Sequence, residues 1–326
     1  ILYRTNSQSR VFEEYLRRYN ILYKVYGGLS FYQRKEVKDL IAYLRLVVNP
    51  RDEDALRRSI NSPRRGIGSA TIDKIGALAE AQSITLWEAL PLVQVSTRAK
   101  NSIAKFRKMI AVFAKKASTL NAYELAAMIA KQSGLLDLLK TDTTVEGMGR
   151  MENVTSLLDG IKEFVENDEV GPDGALSDKT LASYLQNIAL LTSLDNEEEN
   201  GEYVTLMSVH SAKGLEFKSV FVVGLEEKLF PSFMSMDSPE QLDEERRLFY
   251  VAISRAEQLL TLTFAKSRYQ FGQMRYNDPS RFLQEISVEH LETSSPVLGR
   301  GANRTSTRVG ARPVSSGVRG NFRSSR

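Results

Sequence analysis

VTLMSVHSAKGLEFKSVFVVGLEEKLFPS, residues 204–232, is the stretch whose reading decides the fold. It opens with a β-rich run, YVTLMSVH from Tyr203, and returns to an almost continuous apolar one, KSVFVVGL from Lys218. A strand buried on both faces of a parallel sheet needs such an unbroken apolar run. His210, Ser211, Lys213 and Gly214 follow the first strand at its carboxyl end. In open α/β sheets that end forms the crevice where ligands bind. Ser, Lys and Gly suit phosphate through a hydroxyl, a charge and close backbone approach. Glu216 is an acceptor-only carboxylate, suited to a ribose hydroxyl. Composition alone leaves an ordinary strand-to-helix loop equally open.

Downstream, EERRLFYVAISRAEQLLTLTFA, residues 244–265, reads as a helix followed by a third strand. Arg246 and Arg247 lie on that helix and Arg255 at its end. An arginine fixed there could neutralise charge developing on a transferred γ-phosphoryl group, and its fork suits phosphate better than lysine. The competing reading is a solvated helix laced with Glu–Arg pairs. Upstream, ILYRTNSQSR, residues 1–10, reads as a strand end that leads into a helix. Val11, Phe12, Tyr15 and Leu16 give Ser9 to Tyr19 the spacing of an amphipathic helix. Gly27-Gly28 is a break, and from Phe31 to about Leu194 nearly everything is helical. Leu40, Ile41, Leu44 and Val47 recur at helical spacing, as do Ile103, Phe106, Ile110 and Phe113, and Leu181, Tyr184, Leu185, Ile188 and Leu191. Asn49-Pro50, Pro63-Arg64-Arg65-Gly66 and Gly171-Pro172-Asp173-Gly174 are the turns. The expectation is an α/β fold. A parallel sheet over 1–27 and 201–292 is interrupted by a helical insertion at 28–200. Residues 293–326 form an Arg/Gly/Ser-rich tail with too little apolar surface to order.

The two downstream blocks, in this order and spacing, resemble motifs V and VI of the UvrD/PcrA family of superfamily 1 DNA helicases. ILYRTNSQSR resembles motif IV of that family, and GGLSFYQRKEVKD and RRGIGSATIDKI resemble segments that follow it. The resemblance runs from Ile1 to about Glu292. It implies a RecA-like motor domain in which Tyr3 stacks on adenine, Arg4 reaches the γ-phosphate, Glu216 binds the ribose, Gly214 lies at the ATP and Arg255 is the arginine finger. It further implies that His210, Lys213 and Phe271, the last in KSRYQFGQMRY, contact single-stranded DNA, where stacking tolerates any base. Read from the residues alone, Phe271 could be core packing, and Tyr3 and Arg4 a strand end with a solvated arginine. PRRGIGSATIDKI, residues 63–75, resembles a helix-hairpin-helix turn. There Arg64, Arg65, Gly66, Gly68 and Ser69 would contact duplex phosphates at a helix N-terminus. A lone GIG is otherwise a tight turn. Trp87, in LWEAL, reads as core.

What the resemblance implies for function is the C-terminal portion of an ATP-dependent 3′–5′ DNA helicase of repair or replication, acting in the bacterial cytoplasm near the nucleoid. It would translocate on single-stranded DNA and unwind duplex. No GxxxxGK[ST] occurs in the chain, so it is expected to carry half an ATP site and to be inactive alone. Mg²⁺ is expected to be held mainly by the other half. Two rivals remain: a non-catalytic DNA-binding or partner-docking module, and a helicase–nuclease subunit of the AddA/RecB kind. No nuclease-like Asp/Glu/Lys cluster follows the third strand.

The 326 residues exceed a single compact core and predict two domains. Cysteine is absent and only His210 and His290 are present, which excludes disulfides and disfavours a multi-histidine metal site. No run approaches the roughly 18 apolar residues of a membrane span. Ile1 opens directly into a strand, so no signal peptide is read, and the absent initiator Met points to an excised or truncated chain. A net charge of +4 is weak evidence for a polyanionic partner. Its distribution says more: seven arginines and no carboxylate lie between Gly299 and Arg326. That tail is expected to bind polyanions and to offer a contact for repair or transcription proteins.

Overall fold

A computed structural model describes residues 1–167, 178–193, 202–270 and 272–292. In chain order, β1 (Leu2–Tyr3) leads to α1 (Ser9–Arg18) and β2 (Tyr23–Val25). A helical stretch follows: α2 (Lys35–Val48), α3 (Glu53–Ser59), α4 (Ser69–Gln82), α5 (Leu86–Ala89), α6 (Thr97–Lys116), α7 (Ala122–Gln132), α8 (Leu135–Lys140), α9 (Val145–Glu166) and α10 (Leu181–Ser193). The chain then returns to β3 (Val204–Ser208), β4 (Phe217–Val222), α11 (Pro239–Ile253) and β5 (Ala256–Leu262). A small hairpin, β6 (Arg268–Gln270) with β7 (Gln273–Arg275), and α12 (Arg281–Gln284) complete it.

The helix starts follow from local chemistry. Asp52, Ser96, Thr144 and Ser238 accept from amides of the first turns of α3, α6, α9 and α11, and Thr85–Glu88 and Asn121–Glu124 form capping boxes on α5 and α7.

Five strands make one parallel sheet in the order β2-β3-β1-β4-β5. The strand at the start of the chain therefore sits at the centre of a sheet whose other members come from both sides of the helical stretch. Leu2 is opposite both Met207 and Val222, and Tyr3 opposite Ser208. From β3 to β4 the chain crosses over β1 in only eight residues, Val209 to Glu216, with one turn of 3₁₀ helix at His210–Ala212. Parallel neighbours commonly need a longer, helical crossover. This short one keeps the whole connection at the sheet.

Residues Ile1–Leu283 form one compact unit and Gln284–Arg326 a second, in which the described residues carry one 3₁₀ turn at Val288–His290. Within the first unit the helical core is continuous from Phe31 through Leu40, Leu44, Phe106, Phe113, Ile129 and Leu157 to Ile188. Trp87 packs at its margin, as expected, with Arg107 over its ring. The smaller sheet core gathers Tyr3, Leu206 and Val223.

Two readings of burial change. Val11, Phe12, Tyr15 and Leu16 were expected to form the buried stripe of α1. Only Phe12 and Leu16 pack, against the Tyr3 and Leu206 core, whereas Val11 and Tyr15 are exposed. The fully buried residues of α1 are Ser9, Arg10, Glu13 and Arg17. The helix is enclosed on two sides, with the sheet taking its apolar face and the helical region its polar one. Likewise β4 is not buried on both faces. Phe221 is 46% exposed and Leu259, on the edge strand β5, is 64% exposed.

The polar side of α1 is closed by Arg34. Its guanidinium donates to the Asn6 carbonyl (2.8 Å), Asn153 Oδ1 (2.8 Å) and Ser9 Oγ (2.7 Å). Glu13, fully buried, accepts from the Phe31 amide at 2.9 and 3.0 Å. Burial raises its pKa, and the Ser9 and Phe31 hydrogen bonds with the Arg17 and Arg34 charges oppose that rise. Asn153 in turn donates to Glu36 (2.6 Å). Removing one member of such a buried set strands its partners, at a cost of about 3–5 kcal/mol. Arg34→Ala should therefore lower the unfolding free energy of the chain by about that amount in urea titration with an unchanged m-value. A loss below about 1 kcal/mol would mean that water replaces the guanidinium at little cost.

Candidate functional site

The carboxyl ends of β1 and β3 lie side by side, and each delivers one expected functional residue. Arg4 follows β1 and His210 follows β3, one residue beyond Val209. The Val209 amide donates to the Tyr3 carbonyl (2.9 Å), which locks the two strand ends together. α11 closes the crevice with Glu245. That carboxylate is 5% exposed and takes Arg4 in a fork, with Nε at 3.0 Å from both oxygens and Nη2 at 2.5 Å from Oε1. The Ser232 amide (3.1 Å) and Ser235 hydroxyl (3.4 Å) complete its shell. His210 is exposed, and partial desolvation and then the Arg4 charge lower its pKa, against the pull of Glu245 and Glu244. At the working pH of a cell it is a neutral imidazole, able to donate and accept.

The loop after His210 is shaped from both sides. Ser208 and Ser211 share a hydroxyl contact of 2.9 Å, and the Ser211 amide donates to Ser208 Oγ (3.2 Å). Gly27 fits against it: with φ +74° and a Cβ position only 2.8 Å from Ser211 Oγ, a side chain there would meet both strain and a clash. Gly27 is thus a seat for that loop as well as part of a turn. Lys213 and Glu216 are exposed, and Gly214 adopts φ +84°.

Glu216 and Arg255 sit elsewhere than Arg4 and His210. Both precede strands, β4 and β5, and so lie at the amino edge of a parallel sheet. The length of β4, six residues or roughly 20 Å at about 3.3 Å each, separates that edge from the carboxyl edge. Placing all of His210–Glu216 in the carboxyl-end crevice was the expectation. The short crossover instead runs the length of the sheet, so its two ends serve opposite edges. At the amino edge Arg255 grips the loop. Nη1 donates to the Leu215 carbonyl (3.0 Å), Nε to the Val251 carbonyl (3.1 Å) and Nη2 to Ser254 Oγ (3.0 Å), while its own carbonyl accepts from the Phe217 amide (2.9 Å). These side-chain bonds use three of five guanidinium N–H groups. Arg246 and Arg247 instead form exposed pairs with Asp243 and Glu244, as the solvated-helix reading has it.

Tyr3 is 0% exposed, and burial pushes its pKa up to about 12 against the Arg34 charge and the Ser9 hydroxyl. In this chain its ring is a core residue, packed with Leu206 and Val223, that carries Arg4 to the crevice. Phe271 lies outside the described residues, but its neighbours are held. The Gly272 amide donates to Asp159 Oδ1 (2.7 Å), Tyr269 bonds Glu166, and buried Glu226 binds the Ala265 amide (2.9 Å), Arg268 Nε (2.8 Å) and Asn277 Nδ2 (3.1 Å). Burial opposes ionisation of Glu226, and Arg268 with those donors outweighs it, so its pKa is lowered. The arginine-rich tail also lies outside the described residues.

At the GIG turn, Gly66 has φ +75°, Ile67 is buried, and Asn61 Oδ1 accepts from the Arg65 and Ile67 amides (2.7 and 3.3 Å). Gly68 caps α4 and Ser69 begins it, both exposed, beside exposed Arg64. Arg65 does not belong to that surface. Its Nη1 donates to the Ser59 and Pro63 carbonyls (3.1 Å each) and Nη2 to the Ser133 carbonyl (2.8 Å), and its plane lies over the Tyr43 and Phe106 rings. These bonds turn Nη1 and part of Nη2 into the fold, in contrast to the exposed Arg64.

Sequence reasoning missed Glu245 because, within EERR, nothing distinguished it from Glu244. It missed the inward fork of Arg65 because its partners are backbone carbonyls, which no side-chain pattern reports. Arg65→Ala, which orphans those carbonyls and removes a cation over two rings, should destabilise the chain by about 2–4 kcal/mol, while Arg64→Ala stays within about 0.5 kcal/mol. Thermal or urea unfolding of the two variants checks this; equal effects would return Arg65 to the surface set.

A profile of the UvrD-like helicase C-terminal domain matches residues 1–267. The ATP-dependent DNA helicase PcrA of Bacillus subtilis (strain 168) is 40% identical over 329 residues, covering 97% of this chain and 43% of that protein. PcrA of Staphylococcus aureus (strain Mu50) is 39% identical over 301 residues, covering 90% and 40% respectively. PcrA of Staphylococcus epidermidis (strain RP62A) is 40% identical over 299 residues with the same coverage. The chain thus spans about two-fifths of the length of the curated relatives it matches. With a parallel sheet interrupted by helices and a match over most of its length, the chain belongs to the UvrD-like helicase C-terminal domain family.

Proposed function

We propose that this chain supplies the second half of the ATP site, and a large part of the DNA track, of an ATP-dependent DNA helicase that moves 3′ to 5′ on single-stranded DNA. The observation that carries the reading is the adjacency of Arg4 and His210 on neighbouring strand ends, under one carboxylate of α11. A phosphate-directed arginine and a DNA-directed imidazole so placed let a change at one ligand reach the other through a single strand pair. Arg4 meets the γ-phosphate at the carboxyl edge, and Gly214, the ribose contact Glu216 and the finger Arg255, the last two at the amino edge in this structure, join the same nucleotide only once the crossover rearranges. His210 and Lys213, with Phe271, hold the single strand. Arg64 and the first-turn amides at Gly66, Gly68 and Ser69 take duplex phosphates without reading sequence.

ATP is the substrate. Mg²⁺ supplies charge neutralisation at the β- and γ-phosphates in such reactions. Among the described residues no group of three or more His, Asp or Glu side chains is arranged to hold a metal, and on this reading the ion is held by the portion of the protein outside this chain. Arg255 acts by leaving the Leu215 carbonyl for the transferring phosphoryl group. That exchange frees the β3–β4 crossover, which carries His210 at its other end, and so ties hydrolysis to the grip on DNA. Among the described residues no helix is long and apolar enough to cross a membrane, and the relatives are bacterial helicases. We place the protein in the cytoplasm, at DNA under repair or replication. Protein partners, if recruited by the basic tail, meet it through residues 299–326.

The reading is tested by turnover. The 326-residue chain alone should show no DNA-stimulated ATP hydrolysis, since P-loop chemistry lies outside it. In the intact protein Arg255→Ala should lower ATP turnover by roughly 10³-fold, the scale of an arginine finger, and leave single-strand affinity nearly unchanged. A loss below about tenfold would make Arg255 only the clamp on Leu215 that its hydrogen bonds describe.

A further inference from the structure

We propose that Glu245 is a positioning residue for nucleotide recognition: it fixes Arg4 in the orientation that lets the enzyme tell a nucleoside triphosphate from a diphosphate. The inference rests on the reading of Arg4 as the γ-phosphate contact and names what makes that contact selective.

An arginine side chain has several freely rotating bonds, and holding it in one pose costs rotamer entropy. At the end of β1 that cost is met before any ligand arrives. Glu245 receives the Nε and Nη2 edge of Arg4, and the Nη1 group makes none of these contacts. The Arg4 side chain is 20% exposed against 5% for Glu245. The buried edge is thus pinned and part of the arginine remains open to the crevice. A bidentate carboxylate fixes the plane of a guanidinium as well as its position.

The rest of the shell argues against an ordinary structural pair. All the side-chain oxygen contacts of Glu245 go to Arg4, Ser232 and Ser235, and none to another residue of its own helix. Ser232 and Ser235 belong to the turn after β4, so the carboxylate gathers the ends of three elements onto one arginine. Glu152, on α9, lies within electrostatic reach of Arg4 on another side, where it bonds Ser7. Paired with the Glu245 carboxylate, Arg4 favours an incoming group only where that group brings enough negative charge close to its open edge. A terminal phosphate does so, and a diphosphate that ends short of it does not.

The test uses the intact protein and compares the dissociation constants of a non-hydrolysable ATP analogue and of ADP. The wild type should prefer the triphosphate. Glu245→Gln, which keeps the volume but replaces one acceptor oxygen by a donor facing the fork, should reduce that preference about tenfold or more, the equivalent of one charge-assisted hydrogen bond at about 1.4 kcal/mol per factor of ten. ADP affinity should hold within about twofold, a selectivity that general loosening of the fold does not produce. Arg4→Ala should reduce the preference to the same extent, and the double variant should lose no more than either alone. Additive losses, or a Glu245→Gln protein that keeps its triphosphate preference while Arg4→Ala loses it, would overturn the positioning role and leave Arg4 as the γ-phosphate contact. If Arg4→Ala itself keeps the preference, the nucleotide reading of Arg4 fails and the positioning role falls with it. Should Glu245→Gln fail to fold, Glu245→Asp provides the second variant: it retains charge but retracts the carboxylate by one methylene, and should lose part of the preference with ADP affinity unchanged. Loss of both affinities together in Glu245→Asp would show a structural pair and overturn the proposal.

Discussion

The Arg34 guanidinium, closed in by Asn6, Ser9 and Asn153, is the contact on which the crevice depends. It sits where α1, the loop before α2, and α9 meet, and each of those segments belongs to a different part of the chain. Burial lowers its pKa, a measure of how strongly the site resists an isolated charge, and Glu13, Tyr3 and Glu36 compensate. Because the charge is satisfied only when all three elements are in place, the seam is specific in a way an apolar contact would not be. Glu13 ties the same seam to Phe31, the first buried residue of the helical core. Asn6 and Ser9, a few residues beyond β1 and Arg4, are braced by this polar seam.

The loops at the carboxyl edge carry paired charges. Arg4 with Glu245, Arg268 with Glu226, and Arg281 with Glu227 all span from one element at the carboxyl edge to another. Three phenylalanines, Phe230, Phe249 and Phe282, with centroids 5.5–6.0 Å apart, fasten α11 and α12 to the turn after β4 beneath them. The aromatic trio supplies cohesion and the ion pairs supply direction. Edge-to-face and stacked rings tolerate small slides, whereas a bidentate carboxylate does not.

The sheet was legible because its signals are local. A β-rich run, a second apolar run and a helix between strands are properties of ten or twenty residues, and the joining of Ile1–Tyr3 to the same sheet followed from the motif-like blocks around it. What was not legible depends on partners far apart in sequence. The stripe Val11, Phe12, Tyr15 and Leu16 predicts one buried face for α1, but a helix enclosed on two sides also buries Ser9, Arg10, Glu13 and Arg17, and only knowledge of Arg34 and α9 turns those polar residues inward. Arg65 reads as surface charge beside Arg64 until the carbonyls of Ser59, Pro63 and Ser133 close around it.

The split of the 204–232 stretch between two edges of the sheet changes how a stroke can be transmitted. With His210 at one end of an eight-residue crossover and Glu216 at the other, the segment is a short strut, too short to absorb a displacement as slack. At its amino-edge end Arg255 holds it by the Leu215 carbonyl and by the Phe217 amide, one bond through the side chain and one through the backbone. The backbone bond is part of the sheet and survives when the side chain leaves. Release of the side chain therefore loosens Leu215 without unpairing β4 from β5. At the other end Gly27 lies against Ser211 where a methyl group would clash. On the proposed reading, a crossover this short, latched by a single arginine, converts a change at the nucleotide into a change at the DNA.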